Sequence, residues 1–523
     1  MTRPGSTLLA ALAALALALP AAAQDSAPPP RPEPVAAPEP APADPPDAAT
    51  LFAMPRITAA TRLALEQAQA GDLPGGTRQV DDLLARYPGV SLLQLSRAAL
   101  AMAANDPETA ISNLQAAAAQ GAPGLAALET DPLFAPIAAD PRITALATTP
   151  AAPNPAPSPT PAANGEALVS GFNTAWNPES ERLEPRFELP TKSDAAVVPR
   201  RKVAAYDLLS DHFKQGRAAG NIGDLYDNRD RGHSQLDIAE HPQVTRVTYS
   251  PAARALDADY GLNDVLLFDH VTFGNSSTAI TGGPLWRSLP RSALTRADGT
   301  GPLRLWQNAS TNHLYVHPAH KDYGKEVGDL FPANTPYLIV SHGSSGSDKP
   351  FLDAVAMILA AFRPDTKAKL IEADLVVPTV QMVFRRSLQN VTSRADYFSG
   401  IANPSVFEGY NINLARMVSL ANSIRADAIP PQVRIKVLGE DIGTEGVDYF
   451  GEGLSEQLFD TPAAVARVWR SSAGRRTILL SAEDTTDPND RPLTFEWHLL
   501  QGDPAKVQIE PAKGGRSAKI TLD

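Results

Sequence analysis

Two proline-rich tracts limit this chain before any other feature is weighed. Residues 25–49 (DSAPPPRPEPVAAPEPAPADPPDAA) and 148–165 (TTPAAPNPAPSPTPAANG) are too rich in proline and small residues to build a packed core, and read as extended, semi-rigid spacers. The 523 residues are also too many for one core. A multidomain protein is therefore expected: a short α-helical segment over 51–147, a central α/β domain with a mixed or parallel sheet over 166–460, and a partial C-terminal β-sandwich over 461–523. Residues 24–50 and 148–165 serve as linkers.

The start of the chain, MTRPGSTLLAALAALALALPAAAQ, has the order of a secretory signal over residues 1–23. Arg3 gives the positive start, Leu8 to Leu19 the apolar run, and Ala21, Ala22 and Ala23 the small residues before a cut. The apolar run is too short to span a membrane, and no later segment is long enough. The chain contains no cysteine, which removes disulfides, thiolate zinc sites and a cysteine nucleophile. A formal charge of −12 disfavours nucleic acid and anionic lipid, since phosphate contact needs a basic face. A periplasmic or secreted bacterial protein is expected.

Residues 51–147 carry helical periodicity, with Ile57, Leu63 and Leu65 near one face and Val80, Leu83 and Leu84 near another. The run LLQLSRAALAMAANDPETAISNLQAAAAQG reads as helix, Asn105-Asp106 turn and helix, with Pro107 in a first turn. Ala98, Ala110, Leu114 and Ala117 fall where tetratricopeptide repeats place small or apolar packing residues, and the segment resembles that family. Arg97 and Ala101 depart from its pattern. The resemblance implies a partner-docking groove; a helical spacer packed on its neighbour fits the same residues.

In the central part, apolar β-rich runs predict strands at 244–249, 264–268, 313–317, 337–341 and 433–438. Helical patterns occupy 350–362, 366–372 and 405–423. The tail alternates strand-like runs with Asp/Pro/Gly turns, and ILLSAEDTTDPNDRPLTFEW resembles a PKD-type, immunoglobulin-like domain. Such a sandwich needs roughly seven strands over ~80–100 residues, so an incomplete one is expected here. Asp484, Asp487 and Asp490 in its acidic turn are candidate calcium ligands, against the commoner use of turn carboxylates as backbone caps; no other cofactor is expected.

The segment SHGSSGSD follows a strand and precedes a helix, so backbone N–H groups converge at a positive helix end. It lacks the Gly-Lys-Ser/Thr ending of a P-loop. The order strand, His-Gly, small residues, helix looks like the oxyanion segment of α/β-hydrolases, but no Gly-x-Ser-x-Gly elbow follows. In open α/β sheets, ligands bind beyond the carboxyl ends of strands. If three predicted strands are parallel neighbours, they deliver candidate catalytic residues to one rim: Asp269 and His270, then His342, Ser344 and Ser345, then Glu440; the plainer reading is that loops after strands are polar in any case. A histidine beside a carboxylate suits a general base, and a nearby serine a nucleophile.

Gly343 and Gly346 would bring backbone close to substrate, Arg229 or Arg231 would clamp an acidic group, and Trp286 would line a cleft. Arg229 and Arg231 suit a salt-bridged structural loop equally well. His313 and His317 stand four apart, but on a strand that spans ~13 Å, too far to share a metal. The expected function is a hydrolase acting on an envelope or extracellular polymer or ester. The alternative is a non-catalytic scaffold that binds polysaccharide or envelope protein through its flanking modules.

Overall fold

The computed structural model describes residues 44–122, 125–147, 157–163, 165–190, 203–220, 223–231, 234–261, 265–276, 300–318, 336–342, 346–404, 406–450, 455–467 and 469–523. At its centre lies a six-stranded sheet in which every neighbouring pair is parallel. Its strands are β1 (Glu166–Val169), β2 (Asp224–Asn228), β3 (Val244–Tyr249), β4 (Thr272–Asn275), β5 (His313–Pro318) and β6 (Leu338–Ser341). Their spatial order is β6-β5-β4-β2-β3-β1. The chain runs outward from β2 to β3 on one side, then crosses back to place β4 on the other. The carboxyl ends of β2 and β4 therefore flank a topological switch point, where doubly wound sheets leave a crevice.

Parallel sheets need cover on both faces. One face carries Tyr226, Phe273, Leu314 and Val316. It packs against α5 (Ala204–Lys214), α6 (Lys349–Ala361), α8 (Val376–Arg386) and α9 (Leu414–Ser423) in the largest apolar core. Between α6 and α8 runs the short α7 (Pro364–Glu372). The opposite face carries Leu225, Val247 and Tyr249, covered by Phe187, Leu266, Phe268 and Ala253. Ala48 and Phe52 join that second core.

Ala48 and Phe52 belong to α1 (Ala48–Gln69), the first of four helices that continue as α2 (Leu73–Arg86), α3 (Ser91–Ala103) and α4 (Pro107–Ala119). The expected turn between α3 and α4 is present: Asn105 adopts φ 58° and Asp106 caps Thr109 N at 3.1 Å. Arg56 reaches Asp257 at 2.9 Å, and Asp44 accepts from the backbone N–H groups of Gly171 and Ala252. The helices thus pack on their neighbour. Residues 42–523 form one compact unit.

The C-terminal part holds a four-stranded antiparallel sheet of β7 (Lys436–Glu440), β10 (Arg476–Ser481), β12 (Ser517–Leu522) and β11 (Val507–Pro511), in that spatial order. A separate hairpin joins β8 (Gln457–Thr461) to β9 (Ala464–Arg467). Two of the expected strands fall elsewhere than expected. The run at 433–438 enters this antiparallel sheet, pairing with β10, and not the central one. Of the run at 264–268, the described residues 265–268 form no strand: Leu266 makes an isolated bridge to Leu183, and the sheet strand begins at Thr272. Leu266 and Phe268 instead cap the second core. The helix expected over 405–423 begins only at Leu414, where Asn413 caps Arg416 N.

Candidate functional site

These two corrections scatter the predicted site. Asp269 and His270 precede β4, so they lie at the amino edge of the sheet. There they pair with each other, His270 Nδ1 to Asp269 Oδ1 at 2.6 Å. Glu440 ends β7 in the antiparallel sheet and is held by the guanidinium of Arg467 at 2.6 and 2.7 Å. Asp269 and His270 thus stand at the edge opposite the one His342 follows, and Glu440 belongs to a different sheet. Ser344, Ser345, Gly343 and Trp286 lie outside the described residues.

Arg229 and Arg231 follow β2, and both are engaged by protein groups. Arg229 is 1% exposed and donates to the carbonyls of Ala258, Tyr260 and Gly261 at 2.6, 2.9 and 3.2 Å. Arg231 pairs with Asp257 and lies over the Tyr260 ring, 4.5 Å from its centroid. Both arginines pin the 257–261 loop. The acidic turn in the tail likewise closes on its own cations: Asp484 meets Lys436 at 3.0 Å and Asp487 meets Arg491 at 2.8 Å. Asp490 sits at φ 57° in the same turn. Among the described residues, no group of three or more histidines and carboxylates converges on a metal position.

His342 stands at the carboxyl edge of the sheet, beyond the edge strand and two strands away from the switch point. It follows β6 directly, at the carboxyl edge. Its backbone N–H donates to Phe407 O at 2.8 Å, and Phe407 N–H donates to Val340 O at 2.7 Å, so residue 407 adds a parallel bridge beyond β6. That bridge sets Glu408 beside His342, with Nδ1 3.0 Å from the nearer carboxylate oxygen. Both side chains are about two-fifths exposed, at 42% and 40%. The sequence gives no hint of Glu408, which is 66 residues away.

The loop after His342 turns back toward the switch point. Ser347 Oγ lies 3.0 Å from Ser341 Oγ, and Gly346 N–H, at φ 91°, donates to Ser234 Oγ at 2.5 Å. Asp348 follows, fully buried at the N-terminus of α6, though its side chain caps no helix N–H. Its carboxyl faces Ser234 and Asn275; burial raises it above the ordinary carboxylate range against the pull of those two groups. Asn275 ends β4 and accepts from the Tyr226 hydroxyl at 2.9 Å. Tyr226 also receives Asn228 Nδ2 and Leu236 N–H, at 3.1 and 3.0 Å. One polar cluster therefore spans the ends of β2 and β4 and the loop after β6.

A second cluster occupies the opposite face of the same strands. Asp227, wholly buried, accepts from Tyr249 at 2.7 Å and from Tyr315 at 2.6 Å. Burial pushes its carboxyl up and both phenols well above their usual range. His317 on β5 places Nδ1 3.1 Å from Ser276 O, and burial holds it down at about 4, so it is neutral. This cluster is sealed and braces the edge. The His342–Glu408 pair, by contrast, is open to solvent.

The chain matches no protein-family model, no curated protein sequence and no solved structure.

Proposed function

We propose that this chain is an exported hydrolase whose site lies at the carboxyl edge of the parallel sheet, with His342 as general base. The observation that carries the reading is the 3.0 Å contact between His342 Nδ1 and Glu408 at the end of β6. An ionised Glu408 can only accept, so Nδ1 carries the proton and the Nε2 lone pair is free. That base takes a proton from an attacking hydroxyl or water and returns it to the leaving group, a role that contributes typically 10²–10⁴-fold. Ser344 and Ser345 follow within three residues in the sequence and are the proposed nucleophiles. The start of the chain supports export, and an ester or polymer of the cell envelope is the proposed substrate class.

The test is a screen of the purified full-length chain against chromogenic esters, peptides and envelope polysaccharides, repeated with H342A and E408Q. Turnover of one class should fall at least ~100-fold in H342A and ~10-fold in E408Q, with the unfolding midpoint unchanged. No turnover of any class, or turnover that H342A leaves intact, overturns the hydrolase. The result would favour the non-catalytic scaffold.

A further inference from the structure

A concave site lies in the C-terminal part, and neither His342 nor Glu408 lines it. The cleft, of about 250 Å³, opens between the antiparallel sheet and the segment that follows the β8–β9 hairpin. Its walls are apolar: Ile478 and Leu522 from the sheet, Ile442 after β7 and Trp469 after β9. Ile442 and Trp469 are each 41% exposed, so both leave apolar surface accessible at the cleft. Two ion pairs line it as well. Glu440 is gripped by Arg467, and Glu456 by Arg476 at 3.1 Å.

These charges are already satisfied by one another. Glu440 accepts from Gln457 at 2.8 Å as well as from Arg467, and Glu456 accepts the backbone N–H groups of Gly443, Arg470 and Ser471. Burial pushes Glu456 up, but those donors outweigh it and bring the carboxyl to about 2. Two polar groups remain available. Asp441 Oδ2 accepts from Thr477 N–H at 3.0 Å, and its Oδ1 has no partner among the described residues. The Trp469 indole N–H likewise has no acceptor among them.

We propose that this cleft binds one ring of a neutral saccharide. Three carboxylates against two guanidiniums disfavour an anion. A cation requires desolvated, unpaired negative charge or several aromatic faces, and the cleft offers one tryptophan and an exposed Asp441. What is left is a ligand with an apolar body for Trp469 and Ile442 and a few hydroxyls for Asp441 and the indole N–H. The cleft is smaller than a drug-sized pocket, which limits it to a single ring. This site is independent of the hydrolytic reading and would hold polymer near the protein whether or not His342 is a base.

The test is calorimetric titration of the full-length chain with three neutral tetrasaccharides: β-1,4-linked N-acetylglucosamine, β-1,4-linked glucose and α-1,4-linked glucose. Benzyltrimethylammonium serves as the cationic probe. At least one tetrasaccharide should bind with Kd below about 10 mM. W469A should weaken it at least tenfold and D441N about threefold, with thermal unfolding unchanged in D441N. H342A should bind as the wild type does. Failure of all three sugars, binding of the ammonium probe alone, or affinity that survives both W469A and D441N overturns the proposal. So does affinity lost in a folded H342A, which would move the sugar to the other site.

Discussion

The Tyr315 hydroxyl on β5 donates to Asp227 on β2 at 2.6 Å, although β4 lies between the two strands. The register explains how. Asp227 stands opposite Gly274, and Gly274 opposite Tyr315, so the phenol passes over a residue with no side chain. A Cβ at Gly274 would fall 2.0 Å from the Asp227 carbonyl oxygen and 2.8 Å from the Tyr315 ring. G274A should therefore cost about 3 kcal/mol or prevent folding. Y315F, which removes only one donor to a buried carboxylate, should cost about 1–3 kcal/mol. Urea unfolding of both variants checks this; a neutral G274A would mean that the strands are not in this register.

Two buried histidines give stability a definite pH dependence. His313 accepts from Phe268 N–H through Nε2 at 3.0 Å and places Nδ1 2.7 Å from Thr311 O, which fixes the neutral form. Burial lowers both His313 and His317 to about 4 from an ordinary 6.5. The unfolded chain then binds protons first as pH falls, so stability declines between about 6.5 and 4 and does not improve with acid. Each histidine should account for on the order of 3 kcal/mol across that window. H317N keeps an N–H donor for Ser276 O and should remove about half of the decline, read from urea unfolding at pH 7, 6 and 5. An unchanged slope in H317N would refute the assignment.

What the sequence disclosed follows from its chemistry. The strands at 244–249, 313–317 and 337–341 are legible because they are rich in β-branched, aromatic and other apolar residues. β2 is not, because DLYDN is polar on both faces. Tyr226 and Asp227 are satisfied by partners on other strands that periodicity cannot foresee. The run at 264–268 has a strand's composition but spends it as a lid over the second core, and this moved Asp269 and His270 to the wrong edge. The strand before His342 and the helix after it were legible. Glu408 was not, since a backbone bridge at Phe407 brings it from far along the chain.

The amino edge of the sheet is tied to α7 by a fully buried ion pair, Lys367 Nζ to Asp224 Oδ2 at 2.7 Å, with the side chains 0% and 2% exposed. Isolated, either charge would be several kcal/mol out of place in this core; together they offset most of the desolvation. Removing one partner is thus far worse than removing both. K367M leaves the Asp224 carboxylate buried without its cation and should cost about 3–5 kcal/mol. D224L with K367M replaces the pair by apolar groups and should recover most of that loss, because no uncompensated charge remains. Denaturant unfolding of the two single variants and the double variant gives the coupling directly. A K367M cost below about 1 kcal/mol, or a double variant no better than either single one, would show that the pair does not form in the folded protein.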